Sequence, residues 1–238
     1  MLNLLHEILI FLEDSEKPVP FRVLKKFGTR KVGGVLGRME ARGLIEKHSQ
    51  NGQIFYSISP EGREFLNQHL ELIHSQPKWE GSWYLFAFSI PEKQRHIRDK
   101  LRRHLKKLGL GLLFNNLWLT PFDKTKELTE LVKKMKIEER AAWFEVSPTK
   151  LIAKKLIQEA WNLKKLETDY RRFIQQVKKA LPKLTTAPDK RFRIKKLIFS
   201  YALILAEDPN LPPEYLPANW PRAQAHQLYR KIRELLFK

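Results

Sequence analysis

Within the first 75 residues the spacing of apolar positions changes from helical to alternating and back to helical. Leu2, Leu5, Leu9 and Leu12, with Ile8 beside them, recur at the period of one helix face and predict an amphipathic first helix. Pro18 and Pro20 close the connection after it, and Phe21–Phe27 reads as a short second helix stopped by Gly28. Thr29 offers an N-cap hydroxyl to a third helix, which runs to about Arg42 and buries Val32, Val35, Leu36 and Met39. The pattern then alternates. Leu44–His48 and Ile54–Ile58 flank Gln50-Asn51-Gly52-Gln53, and Asn-Gly between such runs is the strongest short-range hairpin signal. Pro60-Glu61-Gly62 starts a fourth helix through Phe65, Leu66, His69, Leu70 and Ile73. Three helices followed by a hairpin, with Ala41–Lys47 leading into its first strand, is the order of a winged helix-turn-helix.

Trp79-Glu80-Gly81-Ser82-Trp83 breaks the helical pattern, and Trp83–Ile90 has strand composition up to Pro91. A very basic helix follows over Gln94–Leu108, with Ile97, Leu101, Leu105 and Leu108 on its buried side. Gly109 and Gly111 bracket a turn into a strand at Leu112–Phe114, Asn115-Asn116 turns the chain, and Leu117–Thr120 is the next strand. A helix at Lys124–Lys136 and a strand at Ala141–Val146 complete the order β-α-β-β-α-β, the ferredoxin-like split unit. Such a fold says little about function by itself.

From Pro148 to Leu181 the pattern is one long helix or two in series. Leu156, Leu163, Tyr170 and Val177 lie seven apart with Leu166 and Phe173 between them, a seam that is more often an intramolecular packing stripe than a dimer zipper. Lys183–Ala187 reads as a linker, Phe192–Ala206 as an apolar helix, Asp208–Pro221 as a proline-dense loop and Arg222–Phe237 as a closing helix. The class is α+β in three parts: a winged helix at 1–75, a ferredoxin-like domain at 76–147 and a helical domain at 148–238.

Charge changes this picture most. The 238 residues carry a net charge of +19, which favours polyanionic partners such as nucleic acid, anionic membrane or phosphorylated ligands. Residues 1–75 hold ten Lys and Arg against nine Asp and Glu, 76–147 fifteen against nine, and 148–238 twenty against eight. The near-neutral first part is sharply divided. Residues 17–47 hold nine basic against two acidic side chains, residues 1–16 none against four, and residues 48–75 one against three. Positive charge therefore sits over the third helix and the start of the hairpin.

Projected at about 100° per residue, the third helix opposes its buried stripe with Arg30, Gly34, Gly37, Arg38 and Ala41, with Lys31 on the flank. Long cations at both ends of a face made of small residues suit a helix in the major groove, where Arg reaches guanine edges or phosphates and Gly admits the backbone closely. The predicted DNA contacts are Thr29, Arg30, Lys31, Gly34, Arg38 and Arg42 from the reading helix, and Lys47, Gln50, Asn51 and Gln53 from the wing. Gly33, Gly34 and Gly37 each weaken a helix interior by about 1 kcal/mol relative to Ala. They read either as a frayed helix or as close approach to phosphate.

Other chemistry is poorly represented. There is no cysteine, hence no disulfide, thiolate metal site or cysteine nucleophile. The seven histidines form no HExxH pattern, because Glu71-Leu72-Ile73-His74 lacks the second histidine. No Gly-rich phosphate loop precedes a helix. His96 and His104 lie among seven Lys and Arg at 95–107, where solvated or phosphate-contacting roles outweigh acid–base work. Asp208 and Trp220 read as parts of a turn-rich clasp. Met1–Leu12 opens without Lys or Arg and carries Glu7, unlike a signal peptide. No apolar run approaches the roughly 20 residues of a membrane span. A cytoplasmic, non-enzymatic protein without metal or cofactor is expected.

Four stretches in order make the chain similar to the phenylacetate-degradation repressor family, PaaX. They are Tyr56–Gly62, Trp79–Pro121, Trp161-Asn162-Leu163 followed by Tyr170 and Phe173, and the tail Glu207–Ala225. The resemblance spans nearly the whole chain. It implies a repressor that binds palindromic operator DNA as a dimer, has a central domain similar to the Cas2 fold, and is released by an aryl-acetyl-coenzyme A thioester. The sequence indicates no residues for the acyl group. Cas2 similarity raises two rivals: a metal-dependent nuclease, and a CRISPR-type nucleic-acid-binding protein without cleavage activity. The nuclease needs an aspartate ending the first strand, and here that strand ends Ser89-Ile90-Pro91, with Glu92 beyond the proline. Surplus charge outside residues 1–75 has three accounts: an extended DNA footprint, a hold on coenzyme A phosphates, or a solvated basic surface.

Overall fold

A computed structural model describes residues 2–74, 77–147, 154–184 and 186–237. The chain begins with α1 (Leu4–Glu13), a two-residue strand β1 (Val19–Pro20), α2 (Phe21–Leu24), α3 (Val32–Ala41), β2 (Ile45–Gln50), β3 (Gln53–Ile58) and α4 (Pro60–Glu71). Next come β4 (Trp83–Phe88), α5 (Arg95–Lys107), β5 (Gly111–Phe114), β6 (Leu117–Thr120), α6 (Thr125–Met135) and β7 (Ala141–Val146). Four helices complete it: α7 (Lys154–Ala160), α8 (Leu163–Leu184), α9 (Lys190–Glu207) and α10 (Arg222–Glu234). With two antiparallel sheets, the class is α+β. Among the described residues, no helix is long and apolar enough to cross a membrane.

Packing gathers the elements into two compact units, residues 1–75 with 169–206 and 221–238, and residues 76–168 with 207–220. Both units join segments far apart in sequence, which a division into consecutive stretches at 75/76 and 147/148 does not express.

In the first unit, Asn3 caps α1 reciprocally with His6: the Asn3 side chain accepts from the His6 amide, and His6 Nδ1 accepts from the Asn3 amide. Ile8, Leu9 and Leu12 of α1 then bury against Leu24, Val32, Leu36, Met39, Ile58 and Phe199. The acidic start of the chain has its counterpart here. Lys195 Nζ lies 2.6 Å from Glu13 and 2.8 Å from Asp14, Arg191 lies 2.8 Å from Asp14, and Lys196 lies 2.9 Å from Glu7. Three cations of α9 are thus answered by carboxylates of α1 and the residue after it. Tyr201 of α9 packs 5.1 Å from Tyr229 of α10 and 5.3 Å from Phe173 of α8.

In the second unit the sheet order is β5-β6-β4-β7, and the element order is the β-α-β-β-α-β expected. Leu101 and Leu105 of α5, with Leu128 and Val132 of α6, cover Phe86, Phe88 and Trp118 on one sheet face. Trp161 Nε1 donates to the Gly109 carbonyl at 2.9 Å. A β-carbon on Gly111 would come within 2.6 Å of the Trp161 ring, so the glycine is needed for that packing. The proline-dense loop is a clasp. Its Tyr215 ring lies 5.1 Å from Trp83, its Tyr215 carbonyl accepts from Gln158 at 3.0 Å, and Asn210 donates to the Pro77 carbonyl at 2.5 Å.

The seam in the carboxy-terminal third resolves as two helices, broken at Asn162 with a φ of 49°. Leu163, Leu166, Tyr170, Phe173 and Val177 are all buried within the single chain, an intramolecular stripe. The helix continues past Pro182 to Leu184, so the linker predicted from Lys183 starts later than expected. The start of that pattern at Pro148, like Thr185 in the linker, lies outside the described residues.

Candidate nucleic-acid interface

Helix α3 forms because Val32, Val35, Leu36 and Met39 recur on one side, and all four are buried. Its start differs from the expectation for Thr29. The N-cap position is Lys31, already in helical conformation, and no side chain caps it. Gly28 adopts a φ of 136°, open to glycine but rarely to other residues. Its carbonyl accepts from the Val32 amide at 3.2 Å, so residues 29–31 form a turn and Thr29 stands outside the capping position. Thr29, Arg30, Lys31, Gly34, Arg38 and Arg42 are all exposed.

Open space surrounds the glycines. Built β-carbons at Gly33 and Gly37 meet nothing within 4 Å, and at Gly34 only Arg38 Nη1 at 3.7 Å. Arg38 therefore lies back over Gly34, toward the end of α3 where Arg30 and Lys31 are exposed. Arg42 is different. Its guanidinium sits 5.8 Å from the Phe65 ring centroid, and its charge helps to lower the His6 pKa. The structure brings Arg30, Lys31, Gly34 and Arg38 to one end of the helix and holds Arg42 against α4.

The hairpin follows the Asn-Gly signal. Asn51 and Gly52 have φ of 51° and 73°, positive at both positions as a type I′ turn requires. Gln50 pairs with Gln53 and Lys47 with Tyr56 across the strands. Lys47, Gln50, Asn51 and Gln53 are exposed. His48 Nε2 lies 2.8 Å from Ser57 Oγ and 3.7 Å from Glu46, which ties the strands laterally. Burial pushes the Tyr56 hydroxyl pKa up, and the Glu40 carboxylate adds to the shift.

One positioning residue carried a signal in the sequence. Ser59 caps α4, accepting from the Gly62 amide at 2.9 Å and donating to the Gly43 carbonyl at 2.5 Å. Ser-Pro at the start of a helix is the capping pattern that announces this. Not all local charge is available to a ligand. Lys26 Nζ lies 3.5 Å over the Phe11 ring, and burial lowers its pKa. Lys25 lies 5.3 Å from Phe21, a pairing foreshadowed by their i, i+4 spacing.

Glu92 and Asp99, the carboxylates that follow the Cas2-type nuclease position in sequence, are engaged by arginine. Glu92 is held by Arg98 through contacts of 2.7 and 3.3 Å, which keep its carboxyl below the usual range. Asp99 lies 3.7 Å from Arg95. Among the described residues, no group of three or more His, Asp or Glu could hold a metal ion.

Two family models match in series. Residues 76–157 match the PaaX protein central Cas2-like domain, and residues 161–238 the PaaX-like protein C-terminal domain. The chain belongs to the PaaX family. A curated relative of this family, the transcriptional repressor PaaX of Escherichia coli, is 27% identical over 214 residues, covering 85% of this chain and 67% of the relative. Among solved structures, the uncharacterized protein Rv0674 of Mycobacterium tuberculosis superposes with a TM-score of 0.59 at 19% identity, covering 97% of this chain and 93% of that one. That likeness concerns the fold alone. The PaaX models begin at residue 76, so the reading of residues 1–75 rests on their own geometry.

Proposed function

We propose that this PaaX-family chain is a cytoplasmic transcriptional repressor whose first 75 residues act as a winged helix-turn-helix on operator DNA. The supporting observation is the division of α3: Val32, Val35, Leu36 and Met39 are buried, while Arg30, Lys31, Gly34 and Arg38 are exposed, as is the Asn51-Gly52 turn of the hairpin that follows. Such a helix enters the major groove, with Arg30, Lys31 and Arg38 meeting base edges and phosphates and Lys47, Gln50, Asn51 and Gln53 meeting the adjacent backbone. Thr29 contributes from the turn, and Arg42 contacts the flank. The ferredoxin-like, Cas2-like domain and the helical remainder serve regulation, not catalysis.

The repressor acts as a homodimer and is released by an acyl-coenzyme A thioester. A cleft of about 710 Å³ between α1, α8 and α9 favours such a ligand. Phe173, Phe192 and Leu197 offer it an apolar wall, and Lys179 and Lys183 stand at it as cations. Selection of bound sequences from random DNA tests the function. A palindromic consensus is the expected result, whereas enrichment by shape alone would support the CRISPR-type binding protein instead. A thermal-shift series with coenzyme A esters tests the effector, with a raised midpoint expected for aryl-acyl thioesters.

A further inference from the structure

Six of the seven Lys and Arg of α5 fall into two groups that the fold treats differently, and the seventh, Lys106, is exposed on the flank of the second group. Leu101 and Leu105 bury one side of the helix completely. Arg98 is taken by Glu92 at 2.7 Å, Arg102 by the Asn115 carbonyl at 2.6 Å, and Arg95 lies 3.7 Å from Asp99. The outer row is Lys100, Arg103 and Lys107, spaced i, i+3 and i+7. All three are exposed, and none has an ion-pair partner among the described residues. Helix α9 provides an internal comparison. It is equally basic at its start, yet Arg191, Arg193, Lys195 and Lys196 each meet a carboxylate. The fold supplies counter-charges for four of the five cations at the start of α9 and for none in the outer row of α5.

We propose that Lys100, Arg103 and Lys107 form a second, sequence-independent contact surface for the phosphate backbone of double-stranded DNA. This rests on the reading that the chain binds DNA, and extends it from the first unit to the Cas2-like one. Seven residues of helix rise about 10 Å. Over that length one strand of a duplex presents about three phosphates, matching three cations. A membrane surface is a poorer fit, because interfacial helices insert apolar side chains and the apolar residues of α5 face the core. Single-stranded nucleic acid is held by stacking on aromatic side chains, and α5 carries no Phe, Tyr or Trp.

The experiment is equilibrium binding of the full chain to a random-sequence DNA duplex over a salt series. Wild type is compared with a variant combining Lys100→Gln, Arg103→Gln and Lys107→Gln, and with Arg38→Ala. The triple variant is expected to lose about 2 to 3 from the slope of log K against log salt, at about 0.9 per phosphate. Its circular dichroism, melting temperature and preference for a selected sequence over random DNA should stay as in wild type. An unchanged slope overturns the inference, and leaves the proposed function standing if Arg38→Ala still weakens binding. A wild-type chain that binds no duplex overturns both. If the triple variant loses only binding to phosphatidylserine vesicles or single-stranded RNA, the row belongs to that partner and the inference falls.

Discussion

No β-carbon fits at Gly62: one built there overlaps the Leu44 carbonyl oxygen and comes within 2.9 Å of Ile58 Cγ1. The same carbonyl accepts from the Ser59 amide at 3.2 Å, while the Ser59 hydroxyl joins Gly43 to Gly62. The first turn of α4 is therefore bonded directly to the chain entering the hairpin. Gly62→Ala must displace backbone, not the tip of a flexible side chain. The expected cost is about 1–3 kcal/mol, the range for overpacking, read as a lower melting temperature. A wild-type midpoint would mean that this junction gives way without strain.

Gly33 and Gly37 present the opposite case. Each has open space where a β-carbon would stand, so alanine there should stabilise the free protein by about 1 kcal/mol through helix propensity. If a DNA backbone comes close to α3, Gly37→Ala should nevertheless weaken binding several-fold. Melting temperature and affinity measured on the same protein separate the two readings of these glycines. A stabilised variant with unchanged affinity would mean that the glycines merely loosen the helix.

His6 sets a pH dependence of stability. Burial, reinforced by the neighbouring charges of His69 and Arg42, lowers its pKa from 6.5 to about 4. The folded chain thus holds this imidazole neutral, while the unfolded chain protonates it more readily. Stability is complete above the unfolded value of about 6.5 and is lost as pH falls from there toward about 4, since the unfolded state binds the extra proton in that window. With the ring only partly buried, the loss should be a kcal/mol or two. His6→Gln keeps a side chain able to close the capping box and should flatten the dependence. Urea unfolding at pH 4.5 and pH 7 checks this: equal losses in the two proteins would trace the dependence to other groups.

Local patterns in this sequence carried much of the fold, because they are enforced by near neighbours. The buried stripe of α3 and the Asn51-Gly52 turn appear where periodicity and turn chemistry put them. One failure was local, and the others came from interactions that cross the sequence. Thr29 lost its cap to the geometry of Gly28, and the ladder between Val19–Pro20 and Phe55–Tyr56 has no local signal. The grouping into two units was equally hidden, since each joins segments far apart in sequence, as where Lys195 meets Glu13 and Asp14 across about 180 residues. For the candidate site, exposure was legible but side-chain direction was not. Arg38 and Arg42 lie four residues apart on a helix, a spacing that suggests one shared face. Only the Phe65 ring separates their roles.

That separation yields a ranking. Arg38 lies exposed over Gly34, whereas Arg42 rests its guanidinium near Phe65. On a selected DNA sequence, Arg38→Ala should cost about 1–3 kcal/mol and relax the preference at one base position, as the loss of a base-edge arginine does. Arg42→Ala should cost less, and through packing: the melting temperature falls while the preference among sequences is kept. Arg103→Ala, on the outer row of α5, should weaken selected and random duplexes alike and by less than Arg38→Ala at one salt concentration. Should Arg103→Ala or Arg42→Ala instead prove the most damaging to sequence preference, the reading face lies elsewhere than α3, and the assignment of Arg30, Lys31 and Arg38 goes with it.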